Sequence, residues 1–295
     1  MKSVCCCLKK STGLCSTMHS KPCSEGPDPR TDRSINAPYD QGRKGRSGAR
    51  PNRSMLEKFY HPEQLVPEQL DHLLEHGWFR MGQSVFTTDY VLFDARLYPA
   101  LWLRHDLEHY REGKTLSKLR KRNRHFKATL QKARITEEHE GLYRLYRNAV
   151  PFDVSSSLMQ LLFGYGLGSG DIFNTYQIDL RDGEELIASS YFDIGRHSAE
   201  GISSFYHPEY REQSLGKYLI YLQIQVCQGN GLKWYYPGYF VPGYAHLDYK
   251  LGIGSNCLSY FERNTEKWLP ITTYAGMGVE LHMKDVLDVI LKLHE

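Results

Sequence analysis

No apolar run in this 295-residue chain approaches the roughly twenty residues that a membrane span requires. No charged-then-apolar opening marks a secretory signal either. Cysteine is nearly missing from the body of the chain. Five of the seven, Cys5, Cys6, Cys7, Cys15 and Cys23, crowd into the first 53 residues, leaving only Cys227 and Cys257 beyond. The five fit no standard zinc spacing and no histidine pair backs them, so no metal is expected. The glycine-rich run 164–170 follows no strand and lacks a Lys-Ser/Thr ending, which makes it a flexible loop rather than a phosphate cradle. These absences describe a soluble protein of a reducing cytoplasm with no membrane partner, one large or two modest domains in size. Aromatic residues, by contrast, are plentiful, and the 21 tyrosines suit polar-lined clefts as well as cores.

Residues 1–54 do not resemble the rest of the chain. They are rich in Ser, Pro, Gly and Arg, with almost nothing to bury, which predicts disorder. Eleven basic residues stand against four acidic ones in residues 1–53, a net of +7, so the remainder carries −4 of the whole-chain +3. The reading is a basic tail dispensable for function, or a start codon upstream of the working one, Met55.

Organised sequence begins at Met55, with a smaller N-terminal α+β domain expected over 55–134 and a larger domain over 135–295. Pro67 to Gly77 reads as a helix, with proline near its start and glycine at its end. Residues 78–86 read as a strand or hairpin arm, and 97–104 as an edge strand because of Pro99. Residues 111–134 then carry ten basic residues against Glu112 alone, a net of +9. Leu116, Leu119, Phe126 and Leu130 give this segment the apolar side of a helix over 116–130. A solvated charged face explains most such runs, but here no opposite charges alternate along the helix. One-sign charge on an otherwise acidic body points to a polyanion, and Lys114, Lys118, Arg120, Lys121, Arg122, Arg124 and Lys127 are the candidate RNA contacts. Further on, 137–147 reads as a helix with Leu142, Leu145 and Tyr146 inward, and 155–163 as another. Residues 173–180, 186–194 and 201–206 alternate like antiparallel neighbours, with Asp182-Gly183 as a hairpin turn.

The stretch from Ser203 to Lys250 organises the rest. A strand ending at Tyr206, a polar turn at Gln213-Ser214-Leu215-Gly216, an apolar helix stopped by Gly229-Asn230-Gly231, and a strand from Leu232 make a βαβ unit. Its turn exposes backbone N–H groups at a helix N-terminus, a site for phosphate or a developing oxyanion. The plainer reading is a helix start whose glycine gives room to pack. Antiparallel strands feeding such a unit give a mixed sheet.

Several separated pieces together resemble the aminoacyl-tRNA–protein transferases of the N-degron pathway, the arginyl and the bacterial leucyl types. Leu73-Leu74 and Gly77-Trp78-Phe79-Arg80-Met81-Gly82 are similar to the family's amino-terminal GWRRSG element. Residues 113–123 resemble its basic S-x-S-x-R-x-x-x-R-R stretch. Phe205-Tyr206-His207-Pro208-Glu209 stands where the family has Y-x-P-E/D, and Ser214-Leu215-Gly216 matches its SLG helix start. Tyr236-Pro237-Gly238-Tyr239-Phe240 and Tyr249-Lys250 resemble Y-x-G-Y-[WF] and Y-K. The family's amino-terminal cysteines have no counterpart around Tyr60 and Tyr98, so the resemblance carries no metal or cluster over to this chain. It implies a mixed-sheet α/β acyltransferase fold of the GNAT type, moving arginine or leucine from charged tRNA to a protein N-terminus and so marking it for degradation.

The donor ester is already activated, so that chemistry needs placement and no cofactor. The oxyanion needs donors, expected at the strand ends near Tyr206 and Tyr236, and proton removal is expected through Glu209, His207 or a water. Tyr239 or Tyr249 would position the leaving ribose oxygen or stack on the terminal adenine. Lys250 or Arg211 would meet an acidic acceptor, and Gln213, Ser214, Leu215 and Gly216 a phosphate. Two other readings share the same residues: an N-acyltransferase using acyl-CoA, and a catalytically silent RNA-binding module.

Overall fold

The computed structural model describes residues 57–93, 96–152, 154–164 and 171–274. The chain divides into two units, Met1–Arg53 and Ser54–Glu295, and every described residue belongs to the second. The tail expected over 1–54 and most of the glycine-rich run thus lie outside the described residues.

The elements are, in order, β1 (Glu57–Tyr60), α1 (Pro67–Glu75), β2 (Phe79–Met81), β3 (Ser84–Thr88), β4 (Tyr90–Phe93), β5 (Arg96–Pro99), β6 (Leu101–Asp106), α2 (Lys114–Asn123), β7 (Lys127–Lys132), α3 (Glu137–Ala149), α4 (Leu158–Phe163), β8 (Thr175–Asp182), β9 (Glu185–Ile194), β10 (Ser198–Tyr206), α5 (Leu215–Gly229), β11 (Trp234–Tyr236), β12 (Tyr239–Phe240), β13 (Leu258–Glu262) and β14 (Lys267–Pro270). One large sheet runs β14-β13-β6-β11-β10-β9-β8-β7, with β12 also on β6, while β1-β3-β2 and β4-β5 form small sheets. The architecture is mixed α/β. Among the described strand pairs only β10–β11 is parallel, as the crossover through α5 requires. The large sheet takes β6 and β7 from residues before 135 and the other strands from after it. No helix among the described residues is long and apolar enough to cross a membrane.

Alternation along the strands sorts side chains into two cores. Ile178, Leu180, Ala188, Phe192 and Ala199 face α5, which meets them with Leu215, Leu219, Ile220 and Ile224. Tyr191 and Phe205 project to the other face, against Leu142 and Tyr143 of α3 and Leu158 and Leu162 of α4. Helix α1 starts with Pro67 at its first turn, and the Val66 N–H donates to the Gln69 side chain. Gly77 closes it at φ +73, where a Cβ would stand 2.7 Å from the Phe261 ring.

Three sequence expectations change. The basic helix ends at Asn123, and Lys127–Lys132 is a strand paired with β8. Phe126 and Leu130 fit helical spacing, but Ala128 and Leu130 alternate with exposed Lys127, Thr129 and Gln131, and the ladder to β8 decides. The segment 97–104 is two strands. Pro99 ends β5 in a two-stranded sheet, and β6 is interior, between β11 and β13. Leu145 points outward at 47% exposure, and Tyr143 takes the inward place beside Leu142.

Candidate active site

The crossover strands part company almost at once. β10 pairs with β11 only from Ser198 to Glu200, opposite Trp234 to Tyr236. β10 then continues to Tyr206 with β9 as its sole partner, while the chain beyond Tyr236 turns through Gly238 (φ +82) to place β12 on β6. The parting falls beside a bulge between Gly201 and Ser203, and β10 ends at Tyr206 as the sequence predicts. Gly201 permits it: a Cβ there would lie 2.6 Å from the Tyr235 hydroxyl. Gly201, Ile202, Ser203 and Ser204 are partly exposed although β10 is an interior strand. A cleft therefore opens in the middle of the sheet, with β10 backbone groups along its wall.

Helix α5 begins at the mouth of this cleft. Ser214 precedes it in the left-handed region (φ 52, ψ 46), reversing the chain after the 3-10 turn Pro208–Gln213. The first-turn N–H groups of a helix have no intrahelical partner. At Gly216 a Cβ would meet only the Tyr206 ring, at an ordinary 3.7 Å. Packing does not require glycine here, and the bare backbone leaves the helix end approachable.

The basic helix is fastened to this same turn. Arg122 donates to the Glu212 carbonyl at 2.6 Å, and the fully buried Asn123 donates to the Gln213 carbonyl at 2.9 Å. Lys114, Lys118, Lys121 and Arg124 are exposed, as is Lys127 on β7. Arg120 differs, because its guanidinium pairs with Glu112 at 3.1 Å and that carboxylate also accepts from Tyr221.

Of the residues singled out for chemistry, Tyr206 and Tyr249 lie together. Burial raises Tyr249 to about 12, and the Tyr206 phenol adds to the shift. Lys250 donates to the Tyr239 carbonyl at 2.8 Å, and burial of its ammonium lowers it to about 8. Tyr239 stands edge-on to Trp102, and burial raises its phenol. His207 accepts at Nδ1 from the Glu209 N–H (3.4 Å), leaving Nε2 as the free ring nitrogen. Glu209 and Arg211 are exposed on the 3-10 turn, Gln213 and Ser214 are partly buried, and Leu215 is a core residue.

Sequence reasoning passes over three groups. Tyr146 of α3 tilts against Tyr206 with ring centroids 5.6 Å apart. Its spacing from Leu142 fits an apolar stripe, so it reads as core. Glu200, the last residue of β10 paired with β11, is buried; burial first and the neighbouring Asp193 second raise it to about 8. Arg80 is almost fully buried and joins Asp193 (2.9 and 3.0 Å), Thr175 (2.8 Å) and the carbonyls of Gly82 (2.7 Å) and Leu162 (2.6 Å). Its motif is visible in the sequence, but its partners Thr175 and Asp193 lie about a hundred residues away.

Residues 108–257 match the family described as arginine-tRNA-protein transferase, C terminus. An aspartate/glutamate leucyltransferase of Leptospira interrogans (strain Fiocruz L1-130) is 26% identical over 200 residues, covering 67% of this chain and 76% of that protein. One from Jannaschia sp. (strain CCS1) is 30% identical over 191 residues, covering 62% and 64%. Among solved structures, a GCN5-related N-acetyltransferase from Kribbella flavida is similar at a TM-score of 0.28 and 15% identity, covering 69% of this chain and 60% of that one.

Proposed function

The chain belongs to the arginine-tRNA-protein transferase C-terminal family, and from that premise we propose that it moves an aminoacyl group from charged tRNA to the α-amine of an acceptor polypeptide. One observation carries this reading. The two hydrogen bonds from Arg122 and Asn123 tie the exposed basic helix to the turn that opens α5, so a cationic ridge leads to the cleft between β10 and β11. A nucleic-acid backbone on the ridge delivers its 3′ end there.

In the cleft the neutral acceptor amine attacks the ester carbonyl. The C–N bond forms, the tetrahedral intermediate collapses with loss of the ribose oxygen, and the ammonium proton passes to that oxygen. With an amine pKa of about 7.7–8.0, a useful neutral fraction exists at cell pH. Backbone N–H groups of β10 beyond Glu200, where β11 no longer pairs with it, are the available donors to the oxyanion. Arginine or leucine is the amino acid moved, and the acceptor begins with Asp or Glu. The modified N-terminus then marks the acceptor for degradation in the cytoplasm.

Lys250 is the cation for the acidic first residue, and it makes the preference pH-dependent. Its lowered value of about 8 means that the free enzyme loses this charge as pH rises through about 8. The ratio of kcat/KM for an Asp-initiated peptide to that for an Ala-initiated one should fall over that range. Lys250→Met should lower the ratio and make it flat with pH. A ratio in wild type that does not change between pH 7 and 9 contradicts the assignment.

The decisive assay supplies labelled amino acids on total tRNA, peptides varied at their first residue, and acyl-CoA in parallel. Label transfer that depends on tRNA supports the proposal. Acylation from CoA alone, or tRNA binding without transfer from any donor, overturns it.

A further inference from the structure

Three phenols converge where the sheet opens, each from a different element: Tyr206 at the end of β10, Tyr249 in the segment Ala245–Gly252, and Tyr146 on α3. Tyr146 and Tyr206 are 5.6 Å apart between ring centroids, and the Tyr146 phenol is influenced electrostatically by both of the others. The arrangement depends on the parting of the strands. Helices α3 and α5 pack on opposite faces of the sheet, yet Tyr146 of α3 and Gly216 of α5 both approach the Tyr206 ring. They meet it at the edge of β10 that β11 has left free.

Among the described residues none of the three hydroxyls has a hydrogen-bond partner, and all three side chains are partly exposed. Hydroxyls that no protein group engages keep both their donor and their acceptor capacity for a ligand. Nearby on the same face, the fully buried Ser190 also has an unpartnered hydroxyl; it pairs with Ser204, two residues before Tyr206. A group of neutral hydroxyls that both donate and accept suits a ligand that does the same, and it suits a carboxylate or ammonium less well.

We propose that Tyr146, Tyr206 and Tyr249 together bind the terminal ribose of the donor RNA through the hydroxyl adjacent to the ester, and so select ribose over deoxyribose at that position. The inference rests on the tRNA-donor reading above and names a subsite within it. Its geometry is consistent with a phosphate at the α5 N-terminus, since the ring of Tyr206 lies against Gly216 in the first turn. Burial raises both Tyr146 and Tyr249, so these two phenols stay protonated over the working pH range and act as hydrogen-bonding groups rather than bases.

The test compares two donors, tRNA ending in adenosine and tRNA ending in 2′-deoxyadenosine, each carrying the amino acid on the 3′ oxygen. Wild type should use the deoxy donor roughly tenfold less well in kcat/KM, the worth of one lost buried hydrogen bond. Tyr146→Phe and Tyr249→Phe should each slow the ribose donor while leaving the deoxy donor almost unchanged, bringing the ratio toward one. Tyr143→Phe is the control, because that hydroxyl bonds the Ser155 carbonyl in the core; it should alter stability without altering the ratio. If Tyr146→Phe slows both donors equally, the ribose assignment fails while the transferase reading stands. Absence of tRNA-dependent transfer to any peptide overturns both.

Discussion

Reversing Lys118, Lys121 and Arg124 to glutamate is expected to weaken tRNA binding by at least a hundredfold near physiological salt, with the fold intact. All three are exposed on or just beyond α2, and none has an ion-pair partner among the described residues. Each phosphate contact releases counterions, so each contributes about 0.7–0.9 to the slope of log affinity against log salt. Loss of three contacts should therefore reduce that slope by about two to three. Arg120→Ala is the informative contrast. Its charge is paired with Glu112, at the base of a link that also takes in Tyr221, so its loss should disturb packing with little change in slope. Arg122 and Asn123 belong to neither class: each is engaged with the turn before α5. A salt slope unchanged in the triple variant would remove α2 from the RNA site.

The second large effect concerns stability. Arg80→Ala should destabilise the protein by about 3–5 kcal/mol, the usual cost of leaving a buried charge without its partner. Asp193 is fully buried, and apart from Arg80 its hydrogen bond comes from Thr175. Arg80 also joins the loop at Gly82, the end of α4 at Leu162, and β8 at Thr175, and its guanidinium lies 4.2 Å from the Phe173 ring centroid. Lysine cannot reproduce that fork, so Arg80→Lys should recover little. Removing both charges in Arg80→Met/Asp193→Asn should cost less than the sum of the single changes. Denaturant midpoints followed by circular dichroism read this out. A loss under about 1 kcal/mol for Arg80→Ala would mean that the cluster contributes little to the fold.

These two sites also mark how far the sequence could be read. The βαβ unit around Gly216 was legible because its signals are local: a polar turn, an apolar run, and glycines that stop it. The Asp182-Gly183 hairpin was legible for the same reason, with Gly183 at φ +59. Residues 124–132 were not. Phe126 and Leu130 satisfy a helical spacing, and only pairing with β8, some fifty residues on, makes the segment a strand. Likewise Pro99 marks the end of β5, but β6 begins two residues later, and its interior place is set by β11 and β13. At the site, motif residues Tyr206, Gly216, Tyr249 and Lys250 could be named because short motifs that resemble the family's contain them. Tyr146 could not, because a tyrosine on an apolar helical face has the same pattern whether its hydroxyl is buried against protein or open to a cleft.

The most direct measurement of the central claim is photocrosslinking from an azido-adenosine at the 3′ end of the donor tRNA, mapped by peptide mass spectrometry. The predicted adducts fall within residues 202–217 and 245–250 or at Tyr146, and are lost when α2 carries the three charge reversals. Adducts confined elsewhere, such as at the roughly 180 Å³ cavity lined by Arg80, Ile135, Met159 and Phe163, would contradict it.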